Sequence, residues 1–212
     1  MPGLSNYKLS YRPLMAGIAV SNPNVDRFGT IGLILTSNGV DRWILGCYHV
    51  LGRENGTAAL EGEPVYQPRR KDVPQSIGSL RLAQSSQSDD FALAEISQAI
   101  VCSPGIFGLG WVGAATQPQI GQKVLKSGVG SGVTQGRVVD IQGNTVHIDG
   151  FPEFPADYEL SSGADSGAVW VTADTHAPVA LHQRGNPQGG KEIAIGFSMV
   201  RLLTTLGMHP LN

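Results

Sequence analysis

Arg42-Trp43-Ile44-Leu45-Gly46-Cys47-Tyr48-His49-Val50-Leu51 follows Gly29-Thr30-Ile31-Gly32-Leu33-Ile34-Leu35-Thr36 across the pair Asn38-Gly39. In the earlier run Ile31, Leu33 and Leu35 alternate with smaller neighbours, the period of a β-strand. Asn-Gly accepts the positive φ of a tight hairpin turn, so 42–51 reads as the returning strand. The pattern repeats outward. Strands are expected at 64–67, 76–82 and 91–96. Beyond the turn-rich link 103–120 they are expected at 123–126, 136–141, 145–148, 168–171, 179–182 and 192–197. Only the tail departs, where Val200, Leu203 and Leu206 recur at helical spacing.

Composition agrees with an all-β chain. Of 212 residues, 28 are glycine and 13 proline; the usual glycine share is about 7%. Turn formers this frequent, set between short apolar runs, imply short strands in sheets. The expected organisation is an N-terminal arm over 1–27, a first β lobe over 28–108, and a second over 109–212 with a helix at 199–207.

The formal net charge is −2 and no run of one sign occurs, which excludes a nucleic-acid groove. The two cysteines, Cys47 and Cys102, fit free thiols in a reducing compartment, with a single disulfide as the alternative. The run Leu14 to Val20 is short for a signal-peptide core and lacks a clear cleavage site, and no run approaches a membrane span. A cytoplasmic location and no membrane partner are therefore expected. His147, His176, His182 and His209 are scattered with no cysteine pair, so no metal is expected. Gly128-Val129-Gly130-Ser131-Gly132 lacks the Lys-Ser/Thr ending of a phosphate loop and leads into a strand, so no nucleotide cofactor is expected either.

Three short stretches carry chemistry. Gly163-Ala164-Asp165-Ser166-Gly167 is a small-residue turn in which backbone N–H groups can converge beside a serine hydroxyl. Read blandly, it is a hairpin turn with a polar tip. His49 ends an apolar strand, where a histidine is more often a satisfied core residue, yet a neutral imidazole is what a general base requires. Asp90 runs into the apolar Phe91-Ala92-Leu93-Ala94, which is costly for a carboxylate unless it is hydrogen-bonded or paired. Together they stand in the order His, Asp, Ser, one of the known orders of a hydrolytic triad. Cys47 lies on the strand of His49 and reads as a small buried residue, not a nucleophile.

These motifs resemble those of trypsin-like serine peptidases of the chymotrypsin fold: Tyr48-His49-Val50-Leu51, Asp90-Phe91-Ala92-Leu93-Ala94, and Gly163-Ala164-Asp165-Ser166-Gly167. More narrowly, Lys126-Ser127-Gly128, Gly132-Val133-Thr134-Gln135-Gly136-Arg137-Val138 and Glu61-Gly62-Glu63-Pro64-Val65-Tyr66-Gln67-Pro68 resemble segments of the intracellular narrow-leaf-type group. The likeness runs from about Gly29 to Leu206. It implies two six-stranded antiparallel β-barrels packed orthogonally, with a C-terminal helix. It implies catalysis by His49, Asp90 and Ser166, an oxyanion hole at the N–H groups of Ala164 and Ser166, and a specificity pocket with Leu160 at its base and Gly185 and Gly196 in its walls. That pocket would favour an apolar side chain before the cut bond.

Two departures stand out. Ala164 occupies a place where the family usually has glycine, and its β-carbon penalises positive φ. In secreted relatives the matching aspartate pairs with a new N-terminus made by cleavage; no such activation site is evident here, so Asp165 is expected to find another partner or the enzyme to be switched differently. The expected partners are a protein or peptide substrate and an activating or regulatory protein. The rival expectations are an inactive member of the fold serving as a protein-binding module, and a serine esterase or acyl transferase.

Overall fold

The computed structural model describes residues 2–25, 27–52, 59–69, 71–73, 75–155, 157–188 and 191–212. Six strands in the second half, Lys123–Gly128, Gly132–Gln142, Thr145–Asp149, Lys191–Ser198, Pro178–Gln188 and Val169–Thr172, pair in that order and close into a barrel. All its pairings are antiparallel. Apolar residues on alternate positions fill it: Val124, Val138, Val146, Ile148, Leu160, Trp170 and Val179 form one buried cluster. The turn between Gly132–Gln142 and Thr145–Asp149 falls on Gly143-Asn144, with Gly143 at φ 61.

The first half forms a six-stranded sheet in the order His209–Pro210, Leu33–Thr36, Trp43–Gly46, Phe91–Ile96, Gly78–Ser86, Pro64–Val65. Gly39 takes φ 76 in the loop that returns Leu33–Thr36 to Trp43–Gly46, as the Asn-Gly signal requires. The edge strand comes from the chain's end: the helix Met199–Leu206 buries Met199, Leu202 and Leu203 in the first core, and His209–Pro210 then pairs with Leu35 and Thr36. Ser198 caps that helix and Gly207, at φ 63, ends it.

The start of the chain is also part of the fold. Leu14–Ala16 pairs in parallel with Cys102–Ile106, and Ala19–Val20 pairs with Gly29–Thr30. Leu14, Ala16, Ile18 and Val20 are buried in the first core. Gly29–Thr36 is broken after Thr30, because Gly29–Thr30 leaves the sheet to meet the loop 163–167: Thr30 N donates to Ser166 O at 2.9 Å. Both cysteines are free, Cys47 buried and Cys102 half-buried, so the disulfide alternative falls. Among the described residues no helix is long and apolar enough to cross a membrane.

Candidate functional site

His49 does not end a strand. The strand stops at Gly46, and Tyr48–Leu51 is a single helical turn. Tyr48 and Val50 favour strands by type, but Val50 and Leu51 are buried in the first core, and the tightened turn swings His49 toward Phe91–Ile96. Asp90 meets it there. Its Oδ1 accepts from His49 N at 3.0 Å, and His49 Nδ1 lies 3.0 Å from Oδ1 and 2.8 Å from Oδ2. Asp90 holds φ 51, a left-handed conformation that costs about 1 kcal/mol for a non-glycine residue. Asp89 points elsewhere: its carboxylate accepts from Ser86 Oγ.

Ser166 comes from the second half and lines the same cleft of about 640 Å³ as His49 and Asp90. Gly167 makes that approach possible. At φ 97, a β-carbon on it would collide with Thr30 O. The Ser166 hydroxyl donates to Gln183 O at 3.2 Å rather than to the His49 ring. Gln183 in turn donates from Nε2 to Asp89 O at 2.6 Å, tying the two halves across the cleft.

Asp165 has found its partner. Lys126 Nζ lies 2.7 Å from Asp165 Oδ2, with both side chains wholly buried. Ser131 Oγ and Ser162 N also donate to Oδ2, and Gly130 N and Ser131 N donate to Oδ1. Burial alone would raise this carboxyl, but the Lys126 charge and these donors hold it below the ordinary aspartate value. The glycine-rich run 128–132 is therefore a cradle for an internal carboxylate. Lys126 and Ser131 each stand in a stretch that the sequence singled out, but their pairing with Asp165 was not legible because they sit far from it in the chain; the signal was the need of Asp165 for a partner.

The loop 163–167 rests in a turn that does not aim Ala164 N into the cleft. Asp165 N donates to Ser162 O at 2.8 Å, and Gly163–Asp165 is a 3-10 turn. Among the described residues only Asp90 and His176 are non-glycine residues at positive φ, so Ala164 is not. In a four-residue turn the two central-peptide orientations differ by a flip, and the type II form needs positive φ at the third residue. Ala164 holds the other form. Its methyl packs against the cluster of Tyr7, Ala19 and Val129. Ala164 therefore does not line the cleft, whereas Ser162, Gly163 and Ser166 do.

The specificity pocket also differs from expectation. Leu160 is buried in the core of the closed barrel, and Gly196 pairs with His182 and Val146 inside it. Neither lines the cleft; Gly185 does. Leu160 reaches only a neighbouring smaller recess beside Tyr158 and Phe154. His182 lies against the cleft, fully buried, and burial with the nearby Lys126 charge lowers its pKa to about 3. It accepts at Nδ1 from Trp170 Nε1 at 3.4 Å and stays neutral. The buried Cys47 thiol donates to His182 O, and burial pushes its pKa up, which suits an inert thiol.

No protein-family model matches the sequence, and no curated protein matches it. Solved structures do. A glutamic acid-specific serine protease, described as using a histidine triad in substrate binding, superposes with a TM-score of 0.69 at 15% identity over 93% of this chain and 100% of its own. The chain has the fold of the chymotrypsin-like serine proteases. Thermobifida fusca protease A gives a TM-score of 0.68 at 16% identity, covering 93% of this chain and 98% of that one. Cellulomonas bogoriensis chymotrypsin gives 0.65 at 14%, covering 92% and 97%. At such identities the likeness is one of fold.

Proposed function

We propose that the chain is a serine endopeptidase that works through an acyl-enzyme, with His49, Asp90 and Ser166 as its triad. The observation that carries this reading is the seating of Asp90 on His49 Nδ1 in the cleft that Ser166 lines. Asp90 fixes the tautomer with the proton on Nδ1, which leaves the Nε2 lone pair free as base. Ser166 Oγ turns from Gln183 O toward His49 and attacks the scissile carbonyl carbon. His49 Nε2 takes its proton and delivers it to the leaving amine. Water then adds to the acyl carbon with the same base, and Ser166 leaves.

The negative charge on the substrate oxygen needs N–H donors aimed at it. Ser166 N is one. Ala164 N joins it after the Gly163–Ala164 peptide flips, so the resting enzyme is latent and a substrate or a regulatory protein completes it. This restraint suits a cytoplasmic peptidase, the location we propose from two free thiols. The resting turn also supports the second reading, an inactive fold that binds a protein in the cleft. A fluorophosphonate probe separates them. Labelling of the purified chain that is lost in Ser166→Ala establishes the hydrolase; no labelling of folded protein, alone or with substrate peptides, favours the binding module.

A further inference from the structure

Glu192 lies outside every motif that singled out the cleft, yet its side chain stands in it. It lines the same space as Ser166, Gly163 and Gly185. Oε1 accepts from Ser161 Oγ at 2.6 Å and Oε2 from Ser161 N at 3.2 Å, so the carboxylate is fixed in place. A β-carbon at Gly185 would collide with Oε1, which shows that the carboxylate covers the bare face of that glycine. Ser161 is itself buried, four-hundredths exposed, and joined through Ser162 to the oxyanion loop. Two N–H or O–H donors satisfy only about half of the four lone-pair sites of a carboxylate. Among the described residues no lysine or arginine forms an ion pair with Glu192. Lys126, whose charge it feels, is already bound to Asp165. Arg184 lines the cleft as well and makes no ion pair with it.

We propose that Glu192 is the specificity-determining residue of the cleft and selects substrates with a cationic side chain, lysine or arginine, before the cut bond. This rests on the peptidase reading for its setting but not for its chemistry. A carboxylate that is held rigidly, half desolvated and without a counter-charge gains most from a cation that brings its own donors. The carboxylate itself rests on Gly185, so a cation reaches it from the side of the cleft that Gly163 and Ser166 also line. Leu160, the residue six before Ser166, is withdrawn into the barrel core, so selection passes to the acid on the strand Lys191–Ser198.

Binding of p-aminobenzamidine, a small aryl cation that fluoresces on leaving water, tests this without requiring turnover. It is titrated into the wild type, Ser166→Ala, Glu192→Gln and Glu192→Asp. The expected result is saturable binding to the wild type and to Ser166→Ala, at least tenfold weaker in Glu192→Gln and partly kept in Glu192→Asp. Uncharged benzamide should bind wild type and Glu192→Gln alike. Absent amidine binding in folded wild type, or equal binding in Glu192→Gln, overturns the proposal. Peptides that differ only before the cut bond (arginine, lysine, leucine, alanine or glutamate) give the second measure. A preference for leucine, alanine or glutamate overturns it. Amidine binding that depends on Glu192, together with no fluorophosphonate labelling of the folded protein alone or with substrate peptides, leaves the pocket assignment standing and counts against the peptidase instead.

Discussion

Ala164 carries a methyl group at a position whose proposed active geometry calls for positive φ. The cost of that geometry for an L-residue is about 1–2 kcal/mol, enough to keep the resting loop in the 3-10 turn that Asp165 N and Ser162 O close. Replacing Ala164 by glycine removes this cost. It also removes a methyl contact with the Tyr7 cluster, so stability should fall slightly while reactivity rises. The expected outcome is a fluorophosphonate labelling rate about 5- to 20-fold higher in Ala164→Gly than in wild type. Equal rates would show that the turn does not limit the reaction. The aspartates can be separated in the same way. Asp90→Asn should lower peptide hydrolysis by about 10⁴, as loss of the correct histidine tautomer does. Asp89→Asn should change it little, since its carboxylate meets only Ser86 and solvent while its main-chain oxygen still accepts from Gln183.

The loop 163–167 is held as an element by contacts from both halves. Thr30 Oγ donates to Ala164 O and accepts from Val129 N, and Lys126 and the 128–132 hairpin hold Asp165 from behind. Lys126→Met would leave a buried carboxylate without its cation, a change that costs about 3–5 kcal/mol. We expect a lower denaturation midpoint and loss of labelling, with the loop disordered first. Ser131→Ala should cost less, since Lys126 remains. Retained labelling in folded Lys126→Met would show that the ion pair does not hold the loop. Strand 91–96 was legible because five of its six residues are apolar and it is bounded by Asp90 and a polar turn. The turn at His49 was not legible, because Tyr48 and Val50 favour strands and the bond from His49 N to Asp90 Oδ1 that helps fix the turn is tertiary. Leu14–Ala16 was missed for a related reason. Its partner, Cys102–Ile106, lies far away in sequence and pairs in parallel, which no local pattern announces.

At the scale of the whole molecule, the cleft exists because two differently built halves face each other, and the composition of turns and short strands was enough to indicate them. The three residues of the proposed triad could be singled out because each sits in its own short motif. The roles of Lys126, Gln183 and Glu192 were not legible, because each acts only through a partner that the fold brings from elsewhere. His182 joins the halves most directly: its carbonyl accepts from the Cys47 thiol of the first half and from Gly167 N of the nucleophile loop. Its ring is fully buried and lowered from 6.5 to about 3. The unfolded chain therefore takes up a proton as pH falls through about 6.5 while the folded chain does not. Stability is complete above that pH and declines toward pH 3, by at most about 1.4 kcal/mol per pH unit. Asp165 adds a loss of the same sign, but only below its unfolded pKa of about 3.9. Between pH 6 and 4, then, His182 is the group whose removal should flatten the decline. In His182→Gln the amide oxygen can still accept from Trp170, and urea midpoints measured at half-unit steps should fall less steeply over that window than in wild type. Parallel curves would mean that the His182 ring takes up its proton in the folded protein near its ordinary pKa.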